Sequence, residues 1–205
     1  MLHVIKQNTD AGTDAVLRGM FEARKRIFVD LLGWNVPVID GRYEVDQFDD
    51  EHATYLVLTD PDGRHRASAR LLPTLRPHIL GDLYPILCDG AVPRGAAISE
   101  VTRFCLDRAL NARERRDARN RLVRAIADHG LASGITLYTG VAELGWLQQI
   151  LAFGWHCRPL GLPQPIGGAM LGALAIEIDT RTPALLAAAG IHGCRTAIGE
   201  MRDAA

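Results

Sequence analysis

The stretch AISEVTRFCLD, residues 97–107, sets Glu100 and Arg103 among apolar and small residues. Its β-branched and aromatic content makes AAISEVTRFCLD (96–107) a strand, the third predicted along the chain. A strand is a costly place for an acid and a base, because charges taken out of water need partners that offset their desolvation.

On its N-terminal side, ATYLVLTD (53–60) and HRASARLLPT (65–74) flank the turn sequence PDGR (61–64) and read as a hairpin. On its C-terminal side, RALNARERRDARNRLVRAIADHGLASG (108–134) is a helix by propensity. Leu110, Leu122, Val123, Ile126, Ala127 and Leu131 form its buried stripe, and Gly134 closes it. ITLYTG (135–140) is a short β-rich run, AELGWLQQILAFG (142–154) an amphipathic helix, AMLGALAIEID (169–179) an apolar strand and TPALLAAAG (182–190) a short last helix. Near the start, Val16, Met20, Phe21, Ile27, Phe28 and Leu31 recur at helical spacing, from an Asp14 cap to about Leu32, with Gly33 as the stop. WNVPVIDGRYEVDQFDDEH (34–52) mixes Pro, Gly and acids without a period. It reads as a long loop, and long loops in compact domains are often functional. Strand, helix, strand, helix, strand implies an α/β layered sheet.

With 205 residues, 48% hydrophobic and 23% charged, the chain can bury one sizeable core, so a single domain is expected over 1–205, its end beyond about residue 180 matching no pattern. A net charge of −1 argues against nucleic-acid phosphate as the main partner. No apolar run has the length of a membrane span and MLHVIKQNTDAGTD lacks the apolar core of a signal peptide, so a cytoplasmic protein is expected. Cys88, Cys105, Cys157 and Cys194 form no C-x-x-C pair, and His52, His65, His78, His129, His156 and His192 show no ligand spacing. Neither disulfides nor a metal site is expected.

Arg24 and Phe28 are four apart and share a helix face, and Trp34 follows just past the helix end. By spacing alone the aromatics serve equally well as core and Arg24 as a solvated cation. The loop adds Glu44, Asp46, Asp49 and Asp50, while Arg70 lies on the hairpin and Arg103 on the third strand. Acids and arginines at the mouths of successive elements can build a buried network that positions a polar substrate. A substrate with both an amine and a carboxylate would use both signs of charge, and an aromatic wall would hold a sulfonium or an adenine.

The ordered series Arg24, Phe28, Trp34, Glu44-x-Asp46-x-x-Asp49, Arg70 within ARLLPT, and Glu100 and Arg103 within SEVTRF resembles the LuxI-type acyl-homoserine lactone synthases in order and spacing over about the first half of the chain. The remainder, from ITLYTG to FGW at 153–155, is similar in element order. The resemblance implies an α/β, three-layer α-β-α sandwich related to the GNAT-type N-acyltransferases, with a twisted mixed sheet and a V-shaped opening between strands. It also implies two substrates, S-adenosylmethionine and an acyl thioester on acyl carrier protein, and no separate cofactor. The products would be an N-acyl-L-homoserine lactone used in quorum sensing, methylthioadenosine and the freed thiol. By the same resemblance Arg24, Phe28, Trp34, Asp46 and Asp49 bind S-adenosylmethionine and order its pocket, while Arg70 and Arg103 pair with the acids and seat the substrates. An α-amino group titrates at about 7.7–8.0, so a carboxylate need give only modest help, and Glu100 is the candidate base, directly or through a water.

Arg108, Arg113, Arg115, Arg116, Arg119, Arg121 and Arg124 crowd the long helix, partly balanced by Asp107, Glu114, Asp117 and Asp128. Such a run is usually a solvated face laced by i,i+4 pairs. Carrier proteins are acidic, however, and Arg113, Arg116 and Arg119 are read as their docking surface. For the acyl chain, Gly140, Leu144, Trp146 and Leu147 offer an apolar pocket. In the resembled family a threonine in this strand accompanies 3-oxo chains. Counting back from Gly154 puts Gly140 at that position, with Thr139 adjacent, and a glycine without a hydroxyl favours an unsubstituted or 3-hydroxy chain. QPIGGA (164–169) imitates the loop by which acetyltransferases hold coenzyme A, but such a loop should open a helix and here it precedes a strand. Two alternatives stand: a GNAT-type transferase acting from acyl-coenzyme A on another amine, and a non-catalytic module that binds acyl carrier protein.

Overall fold

The computed structural model describes residues 1–6 and 11–192. The strands are β1 (Leu2–Lys6), β2 (Val38–Ile39), β3 (Tyr43–Glu44), β4 (Thr54–Thr59), β5 (His65–Pro73), β6 (Ile98–Leu106), β7 (Leu137–Glu143), β8 (Cys157–Pro159), β9 (Gln164–Ile166) and β10 (Ala169–Glu177). The α-helices are α1 (Ala11–Arg24), α2 (Ile79–Asp82), α3 (Ala112–Ala132), α4 (Leu144–Leu151) and α5 (Thr182–Ala188). The main sheet has the order β1-β4-β5-β6-β7-β10-β8, with β9 on β10. Every neighbour in it is antiparallel except β6 and β7.

Those two parallel strands decide the shape of the site. They pair only at Ile98↔Leu137, Ser99↔Tyr138 and Glu100↔Thr139, yet β6 continues to Leu106 and β7 to Glu143. Beyond the last pair the strands part and leave a V in the sheet. On β6 the opening is lipped by a bulge: Ser68↔Cys105 is followed by Arg70↔Thr102, so Arg103 and Phe104 stand opposite the single residue Ala69. Arg103 takes a left-handed backbone (φ 51), which costs a non-glycine residue about 1–2 kcal/mol. Bulges of this kind re-aim a side chain.

Helices cover both faces. On one, α3, α4 and α5 bury Leu122, Val123, Ile126, Leu147 and Leu186 against Leu56, Tyr138, Leu174 and Ile176 of the sheet. The polar start of α3 is closed by a capping box, Asn111 with Glu114. On the other face α1 and α2 bury Met20 and Ile79 against Ile5, Tyr55, Val57 and Leu72. Leu186 and Ile191 join the same core as α3, so the chain after residue 180 packs into the domain as far as it is described; Cys194 and the rest of the tail lie outside the described residues.

Several expectations change. Strand β1 went unread because five residues alternate too briefly to mark it. Helix α1 begins at Ala11, so Asp14 is not its cap but lies in its first turn, where a carboxylate still favours the helix dipole. After Arg24 the helix widens into a π-turn, Lys25–Val29, and ends with Gly33 at φ 69 and the Trp34 N–H donating to the Phe28 carbonyl at 2.8 Å. Strand β7 runs on through Ala142 and Glu143, which pair with Gly172 and Leu171, so α4 starts at Leu144. QPIGGA is the β9–β10 hairpin: Gly167 and Gly168 have φ 58 and 85, the positive pair that a tight hairpin turn demands, and no helix follows. Among the described residues no helix is long and apolar enough to cross a membrane, Cys88, Cys105 and Cys157 are free thiols, and no cluster of His, Cys, Asp and Glu is grouped to hold a metal ion.

Candidate active site

Three arginines and three acids form a closed ring. Arg24, at the end of α1, donates through Nε to Glu44 and through Nη1 and Nη2 to both oxygens of Asp49, at 2.8 Å each. Arg70 on β5 donates to Asp46 at 2.6 and 3.1 Å and approaches Asp49 at 2.8 Å. Arg103 closes the circuit, donating to Glu44 at 2.9 Å and to Asp46 at 2.6 Å. Each guanidinium thus bridges two carboxylates and each carboxylate two guanidiniums, so six charges are buried with no net charge. Further hydrogen bonds support it: the Tyr55 hydroxyl donates to Asp49 at 3.0 Å, Thr102 accepts from Arg70 Nε at 2.9 Å, and the backbone N–H of Asp46 donates to Asp49 at 2.9 Å.

Electrostatics follow from that closure. Burial opposes the Arg24 charge, but Asp49 and Glu44 outweigh it and raise its pKa. Burial likewise opposes ionisation of Asp49, while Arg24 and Arg70 hold its carboxyl well below the usual range. Burial, reinforced by Asp49, pushes the Tyr55 hydroxyl up, so it stays a donor. Asp46 and Asp49, expected to bind the substrate and order its pocket, are each paired with two arginines. Arg103 is the most exposed ring member, at 9%, and its ring contacts use Nε and Nη2 alone.

Above Arg103 lies the aromatic wall. Phe28 and Trp34 stack with centroids 4.7 Å apart at 18°, and the Arg103 guanidinium sits 5.6 Å from each ring. The π-turn and the Gly33 stop place these rings against Cys105 of β6. π-Turns inside helices frequently mark functional sites.

Glu100 sits at the apex of the V, completely buried. Its Oε1 accepts the Leu80 N–H at 2.8 Å, while Oε2 is buried without a hydrogen-bond partner among the described residues. Burial raises its pKa to about 7, with the Leu80 and Ile79 amides and the Arg70 charge pulling the other way. Opposite it in register stands Thr139, whose buried hydroxyl also lacks a partner among the described residues.

That register corrects the expectation for Gly140. Side chains alternate along β7, so Thr139 shares the Glu100 face, whereas a Cβ on Gly140 would point to the other face, 3.2 Å from the Val101 carbonyl oxygen and 3.9 Å from Leu174. On the Glu100 face strand β7 therefore presents the Thr139 hydroxyl and not Gly140. Leu144, Trp146 and Leu147 lie on that far face: Trp146 meets Phe104 of β6 at 5.0 Å, and Leu147 is buried beneath it. Arg113 and Arg116 are exposed on α3, and Arg119 lies 5.2 Å over Phe153, which in turn touches Trp146 at 5.7 Å. Arg121 and Arg124 are instead drawn to Asp117 and Asp128 as i,i+4 pairs.

The structure therefore gathers Arg24, Phe28, Trp34, Asp46, Asp49, Arg70 and Arg103 into one body, with Glu100 beside it. Glu44, part of the acidic motif, is the third acid of the ring. Its spacing from Asp46 was the available signal. Tyr55 and Thr102 carry no signal in the sequence, because a lone hydroxyl in an apolar strand makes no pattern, whereas Thr139 is the neighbour of the position expected at Gly140.

The autoinducer synthase family profile matches residues 8–184. The acyl-homoserine-lactone synthase of Ralstonia nicotianae is 33% identical over 192 residues, 91% of this chain and 92% of its own length. Among solved structures, the CoA-dependent acyl-homoserine lactone synthase MesI superposes with a TM-score of 0.82 at 28% identity, covering 94% of this chain and 97% of that one. A second CoA-dependent synthase, BjaI, solved with SAM and isopentyl-CoA, superposes with a TM-score of 0.81 at 29% identity, covering 93% and 90%.

Proposed function

The chain belongs to the autoinducer synthase family and is an acyl-homoserine-lactone synthase, and from that premise we propose that it joins the amine of S-adenosylmethionine to an acyl group carried as a thioester on acyl carrier protein. The observation that carries this reading is the charge ring under the Phe28–Trp34 stack, set against a buried carboxyl with one free oxygen where the sheet opens. The aromatic pair receives the sulfonium or the adenine. Arg103, at the edge of the ring, faces the substrate carboxylate, and the rest of the ring holds Arg103 in place.

The amine must lose a proton as its nitrogen attacks the thioester carbonyl. A carboxyl titrating at about 7 is well matched to an α-amino group at about 7.7–8.0, so transfer to Glu100 Oε2 is nearly balanced. The new C–N bond replaces the C–S bond, and the thiol leaves with a proton. The substrate carboxylate then attacks its own γ-carbon. The carbon–sulfonium bond breaks, neutral methylthioadenosine departs, and the ring closes as a proximity effect. Expression in a host with its own fatty acyl carriers, followed by mass spectrometry of the medium, tests the reading: N-acyl-homoserine lactones support it, and soluble protein with no lactone opposes it.

The Thr139 hydroxyl, free beside Glu100, suits an oxygen at the acyl 3-position. Thr139→Val is expected to lower the preference for 3-oxo over unsubstituted donors about tenfold, read as a ratio of kcat/KM. An unchanged ratio removes that role.

For the donor, the exposed Arg113 and Arg116 with Arg119 suit an acidic carrier protein. Reversing charge at Arg116 and Arg119 is expected to raise KM for acyl carrier protein about tenfold and leave KM for S-adenosylmethionine alone. The two CoA-dependent relatives favour a second reading, in which acyl-coenzyme A is the donor. A kcat/KM for acyl-coenzyme A above that for the same acyl group on carrier protein would select it.

A further inference from the structure

An acyl group whose carbonyl lies beside Glu100 and Thr139 has the V between β6 and β7 to occupy. At its apex the V is tight, because a Cβ on Gly140 would already stand 3.2 Å from the Val101 carbonyl oxygen. Farther down it is closed by one ring from each lip. Phe104 comes from β6 and Trp146 from α4, which continues β7, and their centroids are 5.0 Å apart at 44°. Nothing behind them gives way easily: Phe153 stands 5.7 Å from Trp146, and Leu147 is so close to Gly172 that a Cβ there would meet Leu147 Cδ1 at 3.2 Å.

From Glu100, beside the acyl carbonyl, to Phe104 the strand advances three ladder positions, because the bulge sets Arg103 and Phe104 opposite one residue; that is about 10 Å, and van der Waals contact with the rings takes about 4 Å of it, leaving about 6 Å. The geometry points to a short acyl group, about four to six carbons, with Trp146 as the stop that sets its length. This rests on the acyl-transfer reading above and names the substrate class of that site. Trp146 is half-buried, so shortening it lengthens the V without emptying the centre of the core.

The test is a series of butanoyl, hexanoyl, octanoyl and decanoyl thioesters, each offered on carrier protein and on coenzyme A, with kcat/KM measured for the native chain, Trp146→Ala and Trp146→Leu. In a closed apolar pocket one methylene too many costs about tenfold or more. The native chain is expected to work best with butanoyl or hexanoyl donors, at least tenfold above decanoyl. Trp146→Ala should raise the decanoyl-to-hexanoyl ratio at least tenfold with KM for S-adenosylmethionine unchanged, and Trp146→Leu should fall between; if the alanine variant fails to fold, the leucine variant decides. A native optimum at octanoyl or decanoyl, or an unmoved ratio in a folded variant, overturns the inference while leaving the reaction intact. No lactone from any donor overturns the acyl-transfer reading and this inference with it.

Discussion

Glu100→Gln is expected to lower kcat/KM by about 10²- to 10⁴-fold, the usual contribution of a positioned general base. The loss should be pH-dependent. In the native chain activity should fall below about pH 8 as the substrate amine gains its proton, and more steeply below about pH 7 as the Glu100 carboxyl does, whereas the residual activity of the variant should keep only the limb of the amine. Folding supplies a second readout of opposite sign. A carboxyl raised by burial from 4.5 to about 7 keeps its proton in the folded chain while the unfolded chain ionises. The stability it contributes is complete below pH 4.5 and is lost as the pH rises through 7, a span of about 3 kcal/mol. Glutamine cannot ionise. Between pH 5 and pH 8 the stability of Glu100→Gln relative to the native chain should therefore improve by about 2.5 kcal/mol, although turnover is lost. Near-normal turnover across the pH range in an intact variant would exclude Glu100 as the base.

Arg24→Met acts on the other half of the site. The side chain is 1% exposed and serves both Glu44 and Asp49, so its removal leaves two buried carboxylates each short of one cation. Removing one partner from such a pair costs about 3–5 kcal/mol, which urea unfolding would show as a lower midpoint at unchanged slope. Activity should fall as well, because Glu44 also holds Arg103 and the loss travels round the ring. Stability within about 1 kcal/mol of native would mean that the ring is not the structural unit described.

The strands and helices nearest the site were the most legible parts of the chain. The 53–74 hairpin, the strand at 96–107 and the long helix after it each had a strong local period or a turn signal, and each lies where expected. Illegible features depended on partners far away in sequence. The Arg103 bulge arises from a mismatch with β5, the π-turn at Lys25–Val29 from packing against β6, and the early end of the β6–β7 ladder from both strands together. For the same reason the ring members could be named but not their pairings. Gly140 and Thr139 show the limit most sharply, since a register error of one residue moves a side chain to the opposite face of the sheet.

We propose that one buried site performs both acyl transfer and lactone closure within the GNAT-like fold. Its most direct test is to incubate the purified chain with S-adenosylmethionine and a hexanoyl thioester, on carrier protein and on coenzyme A, and to quantify N-hexanoyl-homoserine lactone, methylthioadenosine and free thiol together by mass spectrometry and a thiol assay. All three are expected to rise in equal amounts with at least one donor. Thiol release without methylthioadenosine, or an acylated product with the sulfonium still attached, would contradict it.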